Sequence, residues 1–230
     1  MMRVLSAASV CALLAACGTP GPPPVLPADI TDFRALFAAN CSGCHGPEGR
    51  EGPAPPLNNA LYLRLVPREE MQHTIENGRG TLMPAFARLQ GGPLYPKQIA
   101  AIVNGIEQNW AKPVDLEGAA LPPYSAPAGD ANQGHALFDK VCARCHGPNG
   151  SVGPVVTGSL LALVSDQSLR TTIIVGRPLF GMPDWRHQEV VGGLKEQDIS
   201  NLVAWLASNR PATANPASNS SANTTPEKHQ

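Results

Sequence analysis

Aromatic side chains are scarce in this chain: Phe, Trp and Tyr make up 5% of 230 residues, whereas Gly and Pro contribute 22 and 24. So little large apolar material makes a poor core for a globular protein of this length, so something other than side chains is expected to fill part of it. Clusters of one charge are also missing. Seventeen Lys and Arg stand against 18 Asp and Glu, scattered along the chain, which removes the electrostatic footprint of a nucleic-acid binder. Strand signals are lacking as well: there is no sustained apolar alternation, and no Asn-Gly or Asp-Gly pair sits between alternating runs. No apolar run is long enough to cross a bilayer.

What is present begins with "MMRVLSAASVCALLAAC", one Arg followed by a short apolar run and small residues, the layout of an export signal over residues 1–16. Leu14-Ala15-Ala16-Cys17 resembles the lipobox of bacterial lipoproteins, which implies cleavage before Cys17, lipidation of its thiol and a lipid-anchored protein on the periplasmic side of a bacterial membrane. An ordinary cleaved signal that happens to end beside a cysteine is the alternative. Cys11 would leave with the signal, and the loss of Arg3 would leave 16 basic and 18 acidic side chains. Residues 17–29, rich in Pro and Gly, read as an extended tether. Residues 210–230 lack apolar periodicity and read as a disordered tail.

Between these ends the chain repeats itself at an offset of about 100 residues. "DFRALFAANCSGCHG" aligns with "GHALFDKVCARCHG", "IENGRGTLMPAF" with "IIVGRPLFGMPDW", and "KQIAAIVNGI" with "QDISNLVAWL". This gives two modules, residues 30–111 and 131–209, joined by a connector at 112–130. Each reads as helical. Asp130 and Gln133 resemble a capping box, and Pro67 and Gly78 bracket "REEMQHTIEN". Ile99, Ile102, Val103 and Ile106 recur at helical spacing, as do Ile199, Leu202, Val203 and Leu206.

Chemistry centres on Cys-x-x-Cys-His, the attachment signature of c-type haem: two thiols at that spacing reach the two vinyl groups and the adjacent His ligates iron. Cys41, Cys44 and His45 form one set; Cys142, Cys145 and His146 form the other. A four-cysteine zinc site would join pairs 101 residues apart, against a usual spacing of roughly 15 to 20, and would leave both His unexplained. A redox dithiol would want a βαβ setting, and an exported protein also admits disulfides. The His after each pair favours haem. For the sixth position of each iron the chain offers Met83, 38 residues after His45, and Met182, 36 after His146. Both precede Pro and follow a Gly-Arg pair, a rigid setting for a ligand, although core packing is the ordinary role of any Met. Met71 has no counterpart and reads as core or surface. His73 and His135 read as solvated. His187, five residues after Met182, reads as a surface residue with replacement of Met182 as the competing role. Arg79 and Arg177 suit haem propionates or exposed loop positions about equally.

These motifs resemble the class I cytochromes c, and in particular diheme members in which two such domains are fused, over residues 30–110 and 131–208. The resemblance implies an all-α fold with a few helices around each of two covalent haem c groups. It also implies an aromatic one turn before each Cys pair, matched by Phe37 and Phe138, and a Pro whose carbonyl accepts the proximal His N–H, matched by Pro53 and Pro154. The aromatic expected on the terminal helix is present as Trp205 but falls on Gly105 in the first module, with Trp110 as a possible compensation.

With His and Met on both irons, neither has a free position, and single-electron transfer is the expected work. The chain is expected to be a carrier rather than an enzyme, with a quinol-oxidising complex or dehydrogenase as donor, a terminal oxidase as acceptor and no small-molecule substrate. The competing classes are a haem enzyme, such as a diheme peroxidase or thiosulfate-oxidising cytochrome, and a structural haem subunit fixed in a larger complex.

Overall fold

The computed structural model describes residues 27–211. The expected signal peptide, Cys17, the tether up to residue 26 and the tail from residue 212 lie outside the described residues. Within them the regular structure is helical, with isolated bridges and short 3-10 turns in place of strands. The helices form two runs of five: α1 (Phe33–Asn40), α2 (Ser42–His45), α3 (Ala60–Leu65), α4 (Arg68–Asn77) and α5 (Pro96–Trp110), then α6 (Ala131–Val141), α7 (Ala143–His146), α8 (Gly158–Leu163), α9 (Asp166–Val175) and α10 (Glu196–Ser208). The all-α tandem architecture read from the repeat is therefore the one observed.

Caps explain where the helices begin and end. Asp32 accepts from Ala35 N at 2.8 Å to open α1, and Asp130 accepts from Asn132 N and Gln133 N to open α6. Gln133 adds a bond to the Asp130 carboxylate rather than to its backbone N–H, so the capping box is only half formed. Gly78 and Gly176 close α4 and α9 at φ +75° and +68°, a conformation that a Cβ penalises. A Cβ there would also strike the methionine loops, 2.4 Å from the Met83 carbonyl oxygen and 2.6 Å from the Pro183 carbonyl carbon.

In each module the terminal helix packs across the first, α5 on α1 and α10 on α6. The two crossings use opposite choices of large and small residue. On α5, Gly105 leaves a space filled by Phe33: a Cβ at Gly105 would lie 2.1 Å from Phe33 Cγ. On α6 the glycine is Gly134, whose Cβ would lie 2.0 Å from the Asn201 carbonyl oxygen, and the aromatic is Trp205, tilted on Phe138 at 4.4 Å and stacked on His135 at 4.9 Å. Phe33 and Gly134 each stand four residues before the matching Phe37 and Phe138. The aromatic absent at Gly105 has thus moved to the facing helix, and Trp110 completes the cluster edge-on to Phe37 at 5.0 Å and to Phe33 at 5.4 Å.

The modules are docked. Leu61 and Leu65 of α3 belong to the core of the second module, and Tyr62 and Tyr124 pack against both cores. The connector is part of this contact: Val114, Leu116 and Leu121 cover the second core. Arg170, only 3% exposed, donates from Nη2 to the Pro123 carbonyl at 2.8 Å and from Nε to the Tyr124 carbonyl at 3.1 Å. Gln167 Nε2 adds a bond to the same Tyr124 carbonyl at 2.9 Å. At the other end, buried Gln98 donates to the Pro27 and Ile30 carbonyls and fixes how the chain enters the first module. Arg170→Ala strips both connector carbonyls of their charged donor. The expected cost is about 2 kcal/mol, read as a lower denaturation midpoint together with faster proteolysis inside residues 112–130.

Candidate functional site

Each Cys-x-x-Cys-His caps the first helix of its module and then makes one further helical turn. Cys41 N donates to the Phe37 carbonyl at 2.8 Å, while Cys44 N and His45 N return to the Cys41 carbonyl at 3.2 and 3.0 Å. In the second copy Cys142 N donates to Phe138, and Cys145 N and His146 N return to Cys142 at 3.0 and 2.8 Å. Positions three apart on a helical turn share a face, so the thiols of each pair point the same way, with the His following directly.

All four thiols are free. Burial, reinforced by the neighbouring thiol, pushes Cys41 up to about 12 and Cys142 up to about 11. A reactive thiol needs a depressed value, and burial moves Cys41 and Cys142 the other way. Nor do the pairs converge on a common ion: among the described residues no three of His, Cys, Asp and Glu are placed to share a metal.

His45 is held from behind by backbone. Nδ1 of His45 lies 2.9 Å from the Pro55 carbonyl; a carbonyl can only accept, so Nδ1 carries the proton and Nε2 keeps its lone pair. Burial lowers the His45 pKa, and the Pro55 carbonyl acts in the opposite sense. The acceptor is therefore Pro55 and not Pro53. Pro154 does not serve in the second copy either: burial lowers the His146 pKa, the Gly153 carbonyl opposes it, and no partner makes a well-formed hydrogen bond to its Nδ1. The reason lies in the loop register. Ala54 N returns to the Cys44 carbonyl after ten residues, whereas Val152 N returns to the Cys145 carbonyl after seven, and in each case the next carbonyl faces the His. Two prolines at equal sequence spacing thus occupy different places in space.

The methionine loops match more closely. Arg79 N donates to the Met83 carbonyl at 2.8 Å and Met83 N to the Arg79 carbonyl at 3.4 Å; the same pair of bonds joins Arg177 and Met182 at 2.9 and 3.2 Å. Met83 and Met182 are half-buried at equivalent positions, while Met71 is sealed in the first core. His73 and His135 are exposed. His187 is exposed too, with Nδ1 3.0 Å from Asp184 and Nε2 3.4 Å from Glu117. Both of its ring nitrogens face carboxylates, which ties the loop after Met182 to the connector.

The two arginines part company. Arg79 donates to Thr74 Oγ1, to the Tyr124 hydroxyl and to Ser168 Oγ. Arg177 lies over the Phe180 ring at 4.8 Å, and its buried Nε has no acceptor. The residues fit a covalently attached haem c: paired thiols for the vinyl groups, a His with Nε2 free for iron, and in the second module an unpaired guanidinium N–H suited to a propionate.

Comparison with known proteins agrees. The family model described as cytochrome c oxidase, cbb3-type, subunit III matches twice, over residues 28–104 and 129–206. Cytochrome c55X of Stutzerimonas stutzeri is 37% identical over 102 residues, covering 42% of this chain and 86% of that protein. Among solved structures, the c-type cytochrome NirC matches 35% of this chain and 91% of its own at 30% identity, with a TM-score of 0.29. The Kuenenia stuttgartiensis reducing HAO-like protein complex Kustc0457/Kustc0458 matches 83% of this chain and 99% of its own at 16% identity, with a TM-score of 0.44. Because the two family matches take in both Cys-x-x-Cys-His turns and both methionine loops, the chain belongs to the cytochrome c oxidase, cbb3-type, subunit III family and is a diheme c-type cytochrome with two covalently bound haem c groups.

Proposed function

We propose that the protein is a lipid-anchored electron carrier, or an electron-transfer subunit, that hands single electrons between protein partners through two His/Met haems. When bound, haem c supplies an iron that alternates between ferric and ferrous states one electron at a time. His45 and His146 would each hold iron from one side; behind His45 the Pro55 carbonyl would raise the basicity of the ring. Met83 and Met182 would hold the other side. A thioether ligand raises the potential and closes the position a substrate would need. The observation that carries this reading is the recurrence of the Arg–Met backbone bridge in both modules: a loop shape kept twice suits a shared ligand role better than two unrelated packing roles. In this reading Cys17 carries the lipid, residues 17–29 span the gap to the membrane on the periplasmic side, a quinol-oxidising complex or dehydrogenase is the donor and a terminal oxidase the acceptor.

Optical spectra of the oxidised and reduced protein test it. Two methionine-to-iron charge-transfer bands of equal weight are expected; a high-spin signal, or reaction of either haem with carbon monoxide or peroxide, would support the haem-enzyme class instead. Cys17→Ser should move the protein from the detergent-extracted membrane fraction to the soluble one, and retention on the membrane would remove the anchor from the reading.

A further inference from the structure

The two methionine loops have different surroundings. The second is tied to the connector through Asp184, Arg186 and His187: Arg186 Nη1 donates to the Asp115 carbonyl, and His187 faces Glu117. The first is tied across the module boundary. Arg79 opens it, and the guanidinium of Arg79 joins three parts of the chain: Thr74 Oγ1 of its own module at 3.0 Å, the Tyr124 hydroxyl of the connector at 3.3 Å and Ser168 Oγ of α9 in the second module at 3.3 Å. Gly80, next in the loop, takes φ +57°, and a Cβ on it would stand 3.7 Å from the Leu163 carbonyl at the end of α8. The first methionine loop therefore lies directly on the second module.

The junction is partly buried. Tyr62, half-buried between both cores, has its phenol pushed up to about 12 by burial, with the Arg79 cation working against that and Tyr124 with it. Ser168 is itself held by Ser165 at the N-cap of α9. Tyr124 is held by its carbonyl, through Arg170 and Gln167. Two of the three acceptors thus belong to residues anchored separately, and all three are neutral hydroxyls. Among the described residues no carboxylate pairs with Arg79. A planar guanidinium can reach three acceptors along divergent directions at once, which a Lys ammonium on a flexible stem holds far less well.

We infer that Arg79 is a positioning residue that locks the two haem modules at one separation and at the same time fixes the loop carrying Met83. The inference rests on the reading of Met83 as the first module's axial ligand. It goes beyond that reading by making ligation in the first module depend on contact with the second, so that the diheme unit acts as one rigid body and not as two beads on a string. Arg177, the counterpart of Arg79, faces Phe180 within its own loop instead of reaching across the boundary.

The test uses the full haem-loaded chain with Arg79→Lys, which keeps the charge, and Tyr124→Phe, which removes one acceptor; Arg34→Lys, at an exposed position of α1, is the control. Two readouts are taken: the rate of proteolysis within residues 112–130, and the methionine-to-iron band and midpoint potential of the first haem, isolated in a Met182→Ala background. Both Arg79→Lys and Tyr124→Phe should speed cleavage and shift the band and potential of the first haem, Arg79→Lys more strongly. Arg34→Lys should leave cleavage and the first-haem signal unchanged. Unchanged cleavage and an unchanged first-haem signal in Arg79→Lys would overturn the inference, as would an equal change in both haems, which signals general loosening. A first haem that lacks the methionine band before any substitution would overturn the axial assignment alone, and the cleavage readout would still decide the lock.

Discussion

Replacing Met182 with Ala should convert one haem to a form open at its sixth position and leave the other closed. The thioether is the only ligand-type side chain its loop presents, since His187 keeps both ring nitrogens on Asp184 and Glu117. The loop itself should survive: Arg177 and Met182 are joined through backbone atoms, and Gly176 turns the chain independently of the side chain. Half of the methionine-to-iron band should disappear, half of the haem should acquire reactivity towards carbon monoxide, and the midpoint of that haem should fall by a sizeable part of the roughly 0.8 V over which axial ligands set haem potentials. Met83→Ala should do the same to the other half. Low-spin spectra from both haems in Met182→Ala would assign the ligand to another residue and reopen His187.

The comparison of these loops with the proline assignments shows where sequence reasoning worked. The Cys-x-x-Cys-His turns, the methionine loops and the terminal helices are local objects: each is fixed by side-chain periodicity, a capping residue or a covalent spacing within about ten residues, and each appears twice. The histidine acceptors depend instead on how many residues a loop spends before it returns. Positive φ at Gly46, Gly49 and Glu51 lets the first loop run three residues longer than its counterpart before it closes on Cys44, so equal spacing misled. The structural roles of Arg79 and Arg170 at the docking surface, and of Gln98 where the chain enters the first module, were also hidden. Each has a partner far along the chain, Tyr124 45 residues from Arg79, Pro27 71 from Gln98 and Pro123 47 from Arg170, and nothing in the neighbourhood of Gln98 or Arg170 marks them apart from exposed amides and charges. Gly105 against Phe33 was partly legible, because the missing aromatic was visible as a departure from the repeat, whereas its replacement lay on the facing helix.

Gly134→Ala should unfold the second module selectively, and it should do so more severely than Gly105→Ala affects the first. At Gly134 the added Cβ would meet backbone, 2.0 Å from the Asn201 carbonyl oxygen and 2.6 Å from its carbon. Relief requires α6 and α10 to separate, which also pulls Asn201 from the Asp130 amide that it accepts at 2.8 Å and parts Trp205 from Phe138. Overpacking of this kind costs about 3 kcal/mol, a large fraction of the stability of a small module. At Gly105 the atoms struck belong to the Phe33 side chain, which can turn outward towards solvent. A double-mutant comparison separates the two cases. Phe33→Gly should recover most of the stability lost in Gly105→Ala, because the pair is a large residue matched to a small one. Trp205→Ala should recover little of the loss in Gly134→Ala, because a main-chain carbonyl and not an indole stands in the way. Denaturant titrations followed by the absorbance of the two haems would resolve the modules, and full rescue of Gly134→Ala by Trp205→Ala would show that the indole, not the Asn201 backbone, sets the closeness of that crossing.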